Sequence, residues 1–202
     1  LRLTMLLAAP AALALSIIAI PLITTLFHHG AFTANDVFNT RDALVSYSVG
    51  LLGLILVKVL APGFYARQNI RTPVKIAFLS LFVTQLLNLA LIGWLKHAGL
   101  ALSISLAACL NAVLLYRGLR RHGIYQPQPG WPIFYAKLGL AMLVMGATLW
   151  FSSGQASEWL AWNLMERLLR LTLIVSLGAA VYFATLWITG FRLRDFKRRA
   201  AQ

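Results

Sequence analysis

Acidic side chains are scarce in this chain: its 202 residues hold five Asp and Glu against 18 Lys and Arg. General acid–base catalysis by two carboxylates needs both at one site, and no such pair is present. There is one cysteine, Cys109, so an intramolecular disulfide and any CxxC motif are excluded. Placed mid-way along an apolar run, Cys109 reads as a small buried hydrophobe. HExxH and glycine-rich phosphate loops are absent. The four histidines, His28, His29, His97 and His122, fall in loops, and the His28–His29 pair lacks further ligands for a metal. On this inventory the chain is not an enzyme: no catalytic residue, metal or cofactor is expected.

Hydrocarbon is what the chain has in abundance. Sixty per cent of the residues are hydrophobic, 11% are charged and the mean hydropathy is +0.77, values foreign to an ordinary soluble domain. The apolar residues form six stretches, Leu3–Phe27, Ala43–Phe64, Ile76–Leu95, Ala98–Tyr116, Phe134–Phe151 and Leu164–Ile188. A helix crosses a bilayer core with about 20 apolar residues. Backbone groups in lipid must bond among themselves, so the spans are helices. The pattern predicts an all-α, polytopic membrane helix bundle with six transmembrane helices. The first stretch is too long for the roughly 7–15-residue core of a signal peptide. Because the chain opens on Leu1 rather than methionine, it reads as part of a longer protein with residues upstream.

The formal charge of +13 would point to nucleic acid in a soluble protein. Here its placement points elsewhere. Arg2, the loop Arg67, Arg71, Lys75, the loop Arg117, Arg120, Arg121, Lys137 and the tail Arg192, Arg194, Lys197, Arg198, Arg199 all fall on one side of an alternating topology. Arg41, Lys96, Arg167 and Arg170 fall on the other, and Lys58 lies inside a span. The crowded side is cytoplasmic by the positive-inside rule, which puts both ends of the chain in the cytoplasm. Those loops also attract anionic membrane lipids, and no nucleic-acid partner is expected.

Local signals refine the spans. Pro10 and Pro21 bend the first helix, a common feature of membrane helices. Thr33 and Asp36 have the spacing of a helix start, and residues 34–41 are expected to lie at the outer interface. Residues 61–73 make a Pro/Gly-punctuated corner. Ser80, Thr84 and Asn88 share one face of the third span, with Gln85 beside them. Ala101, Ser103, Ser105, Ala107, Ala108, Asn111 and Ala112 make the fourth span a close-packing surface, and Ser176, Ala180 and Ala184 do the same for the sixth. Trp159 and Trp162 suit the headgroup level, and the basic C-terminal tail suits an interfacial helix.

Lys58 stands out, since an ionisable group inside a span is costly and marks function by default. Two roles are open to it: snorkelling to the interface, or meeting an anionic group in a water-facing passage. Arg67, at the interface, is nine residues away, about 13 Å at helical rise, further than one lysine side chain reaches. Thr84, Gln85, Asn88 and Asn111 are further substrate-path candidates, with interhelical hydrogen bonding as the commoner role for such residues. Arg41 and Asp42 read as interface charges, as do Glu166 and Arg170, the latter two in the favourable i,i+4 order.

The segments Leu26–Asp36, Gly50–Ala77, Lys96–Asn111 and Pro127–Trp131 resemble the C-terminal half of bacterial lipid II flippases of the MurJ/MviN type. The run Ala61-Pro62-Gly63-Phe64-Tyr65-Ala66-Arg67-Gln68 is the most specific of these. The resemblance covers the whole chain in order and implies membership of the multidrug/oligosaccharidyl-lipid/polysaccharide (MOP) exporter superfamily. Such flippases have fourteen helices, two six-helix lobes around a cavity plus a final pair, and these six spans would match helices 9–14. Residues 1–121 would then be four helices of the second lobe and 122–132 a cytoplasmic linker. Residues 133–190 would be the final pair, forming a groove for a lipid tail, and 191–202 a basic cytoplasmic tail. The implied function is flipping lipid II, a lipid-linked peptidoglycan precursor, from the cytoplasmic to the periplasmic leaflet of the bacterial inner membrane by alternating access. The implied partners are lipid II, membrane lipids and the missing N-terminal lobe. The family's cavity arginines lie upstream of Leu1, and none is carried over. Some members couple to an ion through intramembrane carboxylates, yet no span here has one at depth. The alternatives are a related exporter of drugs or other lipid-linked oligosaccharides, and a non-transporting membrane scaffold.

The topology makes a direct prediction. Engineered cysteines in residues 27–40 and in residues 126–131 should react with an impermeant maleimide from opposite sides of the membrane. Labelling of both loops from one side would overturn the assignment.

Overall fold

The computed structural model describes residues 1–28, 30–125 and 130–191. Its elements are α1 (Arg2–Ile17), α2 (Ala19–Phe27), α3 (Ala34–Tyr65), α4 (Arg71–Arg121), α5 (Trp131–Ser153), α6 (Ala156–Ala161) and α7 (Leu164–Ile188). No strand occurs among the described residues. Four helices, α3, α4, α5 and α7, are long and apolar enough to cross a membrane, and the pair α1–α2, bent by 71°, adds a fifth when taken as one span. Helix α4 has 51 residues, about 76 Å at 1.5 Å per residue, more than twice the core of a bilayer. Its backbone leaves helical geometry at Lys96 (φ 48°, ψ −123°). Counted as separate crossings, residues 71–95 and 97–121 bring the spans to six.

The breaks have local causes. A proline ring collides with the carbonyl four residues earlier, which for Pro21 belongs to Ile17. The helix stops at Ile17, passes through Ile18 (φ −92°, ψ 21°) and restarts at Ala19. Pro21 thus falls in the first turn of α2, where its missing N–H costs little. Helix α1 runs on through Pro10. At the end of α3, Gln68 takes a left-handed conformation (φ 54°) and the Asn69 N–H returns to the Phe64 carbonyl at 3.1 Å. The Asn69 side chain then accepts the Thr72 N–H at 3.2 Å, so the corner at residues 61–73 is held by local hydrogen bonds.

Two compact units result. One holds Leu1–Ser16 together with α3 and α4; the other holds Ile17–Ala34 together with α5, α6 and α7. Residues 17–34 therefore cluster with the final helices, although they precede α3 in the chain.

In the first unit α3 lies against residues 97–121 at very short range. A Cβ on Gly50 would overlap the Ser105 backbone, and one on Gly53 would stand 2.7 Å from the Cys109 nitrogen. The Ser105 hydroxyl sits in this seam, 2.8 Å from both the Ala101 and Ser46 carbonyls. Towards the chain corner the contact widens to hold Leu60, Phe64, Leu115 and Leu119. The small residues of the fourth span thus serve close helix approach, as their spacing indicated. Cys109 fits the same seam, its thiol 3.6 Å from the Val49 carbonyl.

In the second unit α5 and α7 run antiparallel. Phe134 at the start of α5 meets Phe191 beyond the end of α7, with ring centroids 5.6 Å apart. Helix α7 buries Arg167, Ile174, Gly178, Tyr182 and Leu186. The expected stripe Ser176, Ala180 and Ala184 is instead exposed. Gly178 explains the difference: lacking a Cβ, it admits Leu149 of α5, whose Cδ2 would lie 2.7 Å from one. Aromatics cluster at both ends of the pair, Trp131, Phe134 and Tyr135 at one and Trp159 and Trp162 at the other, as in the belts of membrane proteins.

The α3 seam is testable. Gly53→Val should destabilise the protein by about 1–3 kcal/mol through overpacking, read as an earlier thermal transition in detergent. Gly139→Ala, whose added Cβ meets nothing within 4 Å, should leave the transition in place. Equal responses would rule out the close approach as a stabilising contact.

Candidate functional site

Lys58 lies on the side of α3 turned away from its packing against α4. Gly50, Gly53, Leu60 and Phe64 form the buried face, whereas Lys58, Tyr47 and Tyr65 are exposed. Tyr47 and Tyr65 stand eleven residues before Lys58 and seven after it, within about 20° of one line along a 3.6-residue helix. No hydrogen bond or ion pair joins Lys58 to another described residue. The α3 face thus carries a free cation between two phenols, well inside a long apolar helix.

The polar residues of α4 are spread over both its halves. The Thr84 hydroxyl donates to the Ser80 carbonyl at 2.8 Å and that of Ser80 to the Ile76 carbonyl at 2.9 Å. Both are satisfied within their own helix, so the interhelical bonding expected of Thr84 is absent. Gln85 is exposed; Asn88 and Asn111 are half-buried. The Asn88 Oδ1 is enclosed without a hydrogen-bond partner. The interhelical polar contact falls on Ser105 instead.

Of the interface charges, Arg41 and Asp42 form an exposed ion pair at 3.1 Å. Glu166 and Arg170 do not pair. Glu166 caps its own helix, accepting the Asn163 N–H at 3.1 Å in a reciprocal capping box. Arg170 instead lies over the Trp162 ring, 4.3 Å from its centroid. The free N–H groups at a helix start compete successfully for the carboxylate, and the aromatic face takes the cation.

A further buried polar side chain is Arg167, which from sequence reads only as an outer-side charge. It is 7% exposed. Its Nη1 donates to the Thr24 and His28 carbonyls, each at 3.1 Å, and its Nη2 to the Leu160 carbonyl at 3.0 Å. Beside it Trp159 is fully buried, its indole N–H donating to the Ser153 carbonyl. A signal was available in the sequence: Arg167 precedes Ile174, Gly178 and Leu186 by 7, 11 and 19 residues, placing it on the buried stripe.

The histidines need one correction. His97 is helical, at the start of residues 97–121, rather than in a loop. His122 follows the end of α4, with Nδ1 2.8 Å from the Gly118 carbonyl. His28 follows α2, and His29 lies outside the described residues, as do Gln126–Pro129 of the linker and the basic tail from residue 192.

These features define a polytopic helical membrane protein with a lone cation on one span and a buried arginine clamp. Comparison with known proteins narrows the class. The family model described as Lipid II flippase MurJ matches residues 1–170, and the chain belongs to that family. It is 48% identical over 201 residues to the lipid II flippase MurJ of Burkholderia cenocepacia, covering 99% of this chain and 39% of that protein. It is 41% identical over 197 residues to a relative from Vibrio cholerae, covering 97% of this chain and 37% of the relative. A solved lipid II flippase MurJ in an inward closed conformation shares the fold, with a TM-score of 0.77 and 22% identity over 96% of this chain and 38% of the solved one. The chain thus spans less than two-fifths of the length of the proteins it matches.

Proposed function

We propose that this chain is the C-terminal part of a transporter that moves lipid-linked peptidoglycan precursor across the bacterial inner membrane, from the cytoplasmic to the periplasmic leaflet. The observation that carries the proposal is the family match over residues 1–170. The precursor joins an anionic pyrophosphate to sugars and a long polyprenyl tail. An anion crossing a low-dielectric layer needs a cation on its path, and Lys58 supplies one. Tyr47 and Tyr65 on the same face offer hydroxyls to sugar or phosphate, and Thr84, Gln85, Asn88 and Asn111 add polar groups to the route. The final pair exposes Leu143, Phe151, Leu173 and Trp187, a surface suited to the tail. The N-terminal lobe completes the passage, and both ends of this chain face the cytoplasm. The process is transport by alternating access, with no bond made or broken in the substrate.

The complete protein carrying this sequence should restore growth to bacteria depleted of their own flippase, whereas residues 1–202 alone should not. Lys58→Ala should impair flipping at near-normal protein levels. Lys58→Arg should retain part of it, because a mobile phosphate needs the charge more than one hydrogen-bond geometry. Silence of both Lys58 variants would remove Lys58 from the path, and rescue by residues 1–202 alone would overturn the need for a second lobe.

A further inference from the structure

Helix α2 ends at Phe27 and the short helix α6 at Ala161, and each closes only one terminal carbonyl by its own backbone, His28 N–H to Thr24 and Trp162 N–H to Glu158. Both ends turn towards Arg167. Its guanidinium takes the carbonyls of Thr24 and His28 from α2 and that of Leu160 from α6, while its own backbone belongs to α7. Each acceptor is a helix C-terminal carbonyl, the negative end of a backbone dipole, where a cation is favoured. The neighbouring carboxylate, Glu166, is committed to the Asn163 N–H. A buried charge held by neutral dipoles from two other elements is expensive to assemble and costly to disturb. Lysine, with one nitrogen in place of the planar fork, cannot reach all three acceptors in the same way.

We propose that Arg167 is a positioning residue that fastens the second half of the broken first span to α6 and α7, so that α2 travels with the final helix pair as one body. The helix break at Ile18 leaves α2 free of the register of α1, and the two flanking segments fall in different compact units. Without the clamp, α2 is a nine-residue helix, too short to hold its place by its own hydrogen bonds. The clamp itself rests on geometry alone. Its role in transport rests on the flippase reading above.

The test uses the complete protein in lipid nanodiscs, freed of other reactive cysteines by substitutions that include Cys109→Ala. Thr25→Cys reports on α2, where Thr25 is 3% exposed, and Ser48→Cys reports on α3, where Ser48 is 5% exposed. With Arg167→Met, a water-soluble maleimide should label the Thr25→Cys thiol at least about ten-fold faster, while the Ser48→Cys thiol keeps its rate. Arg167→Lys should fall between, and it carries the test if the methionine variant does not accumulate. An unchanged rate at Thr25→Cys, or an equal rise at Ser48→Cys, would overturn the clamp. In flipping assays Arg167→Lys should slow transport while lipid II binding is kept. Unchanged transport alongside a released α2 would overturn the positioning role. Should the unsubstituted protein move no lipid II, the flippase reading fails, and the thiol rates still decide the clamp.

Discussion

A backbone carbonyl inside a bilayer has no water to turn to. Leaving one unmet costs several kcal/mol, and much of this molecule follows from that. Long helices meet the requirement within themselves, so the points of interest are where helices stop. The end of α3 is closed by its own backbone around Gln68, and the side chain of Asn69 takes an N–H at the start of α4. The end of α2 is closed only in part by its own backbone, through the His28 N–H on the Thr24 carbonyl, and a side chain 143 positions further along supplies further donors. A cation is well suited to the task, since it bonds several carbonyls and favours the negative ends of two helices at once.

The same solvent takes away the force that packs soluble helices. Lipid is as apolar as leucine, so association relies on dispersion, and dispersion rewards contact at short range. Gly50 and Gly53 bring the α3 backbone onto that of Ser105 and Cys109, and Gly178 lets α7 receive Leu149. These glycines sit in regular helix, where their conformational freedom is a cost. Their value is the volume they leave empty for the neighbour.

Much of this was legible in the residues. The number and class of the helices follow from run length and hydropathy, which depend on solvent rather than on tertiary detail. The corner at residues 61–73 and the start of α3 at Ala34 follow from turn and cap chemistry confined to a few neighbours. Which face of α7 packs was not legible: small residues mark the Ser176, Ala180 and Ala184 stripe, whereas the packed face holds one, Gly178, whose partner Leu149 comes from another helix. Glu166 was assigned to Arg170 by spacing, although the N–H groups of the helix start were nearer and better aligned. Arg167 was hidden for a related reason. Its charge drew attention to the interface, while its period along α7 placed it inside. At Lys58 the sequence exposed an oddity and the fold showed which face it occupies, away from α4, without supplying a counter-charge among the described residues.

Hydroxyls in the spans add one more property. Those of Thr24, Ser80, Thr84, Thr148, Thr172 and Thr185 each donate to a carbonyl four residues back in the same helix. A hydroxyl bonded to its own turn makes no demand on a neighbour, so it adds no polar cost when helices slide or part. Ser105 differs, since it also donates across to Ser46 on α3, and separation there would break a hydrogen bond as well as dispersion contacts. The seam between α3 and the second half of α4 is thus a latch, as Arg167 is between α2 and α7, whereas faces lined by self-bonded hydroxyls are bearings.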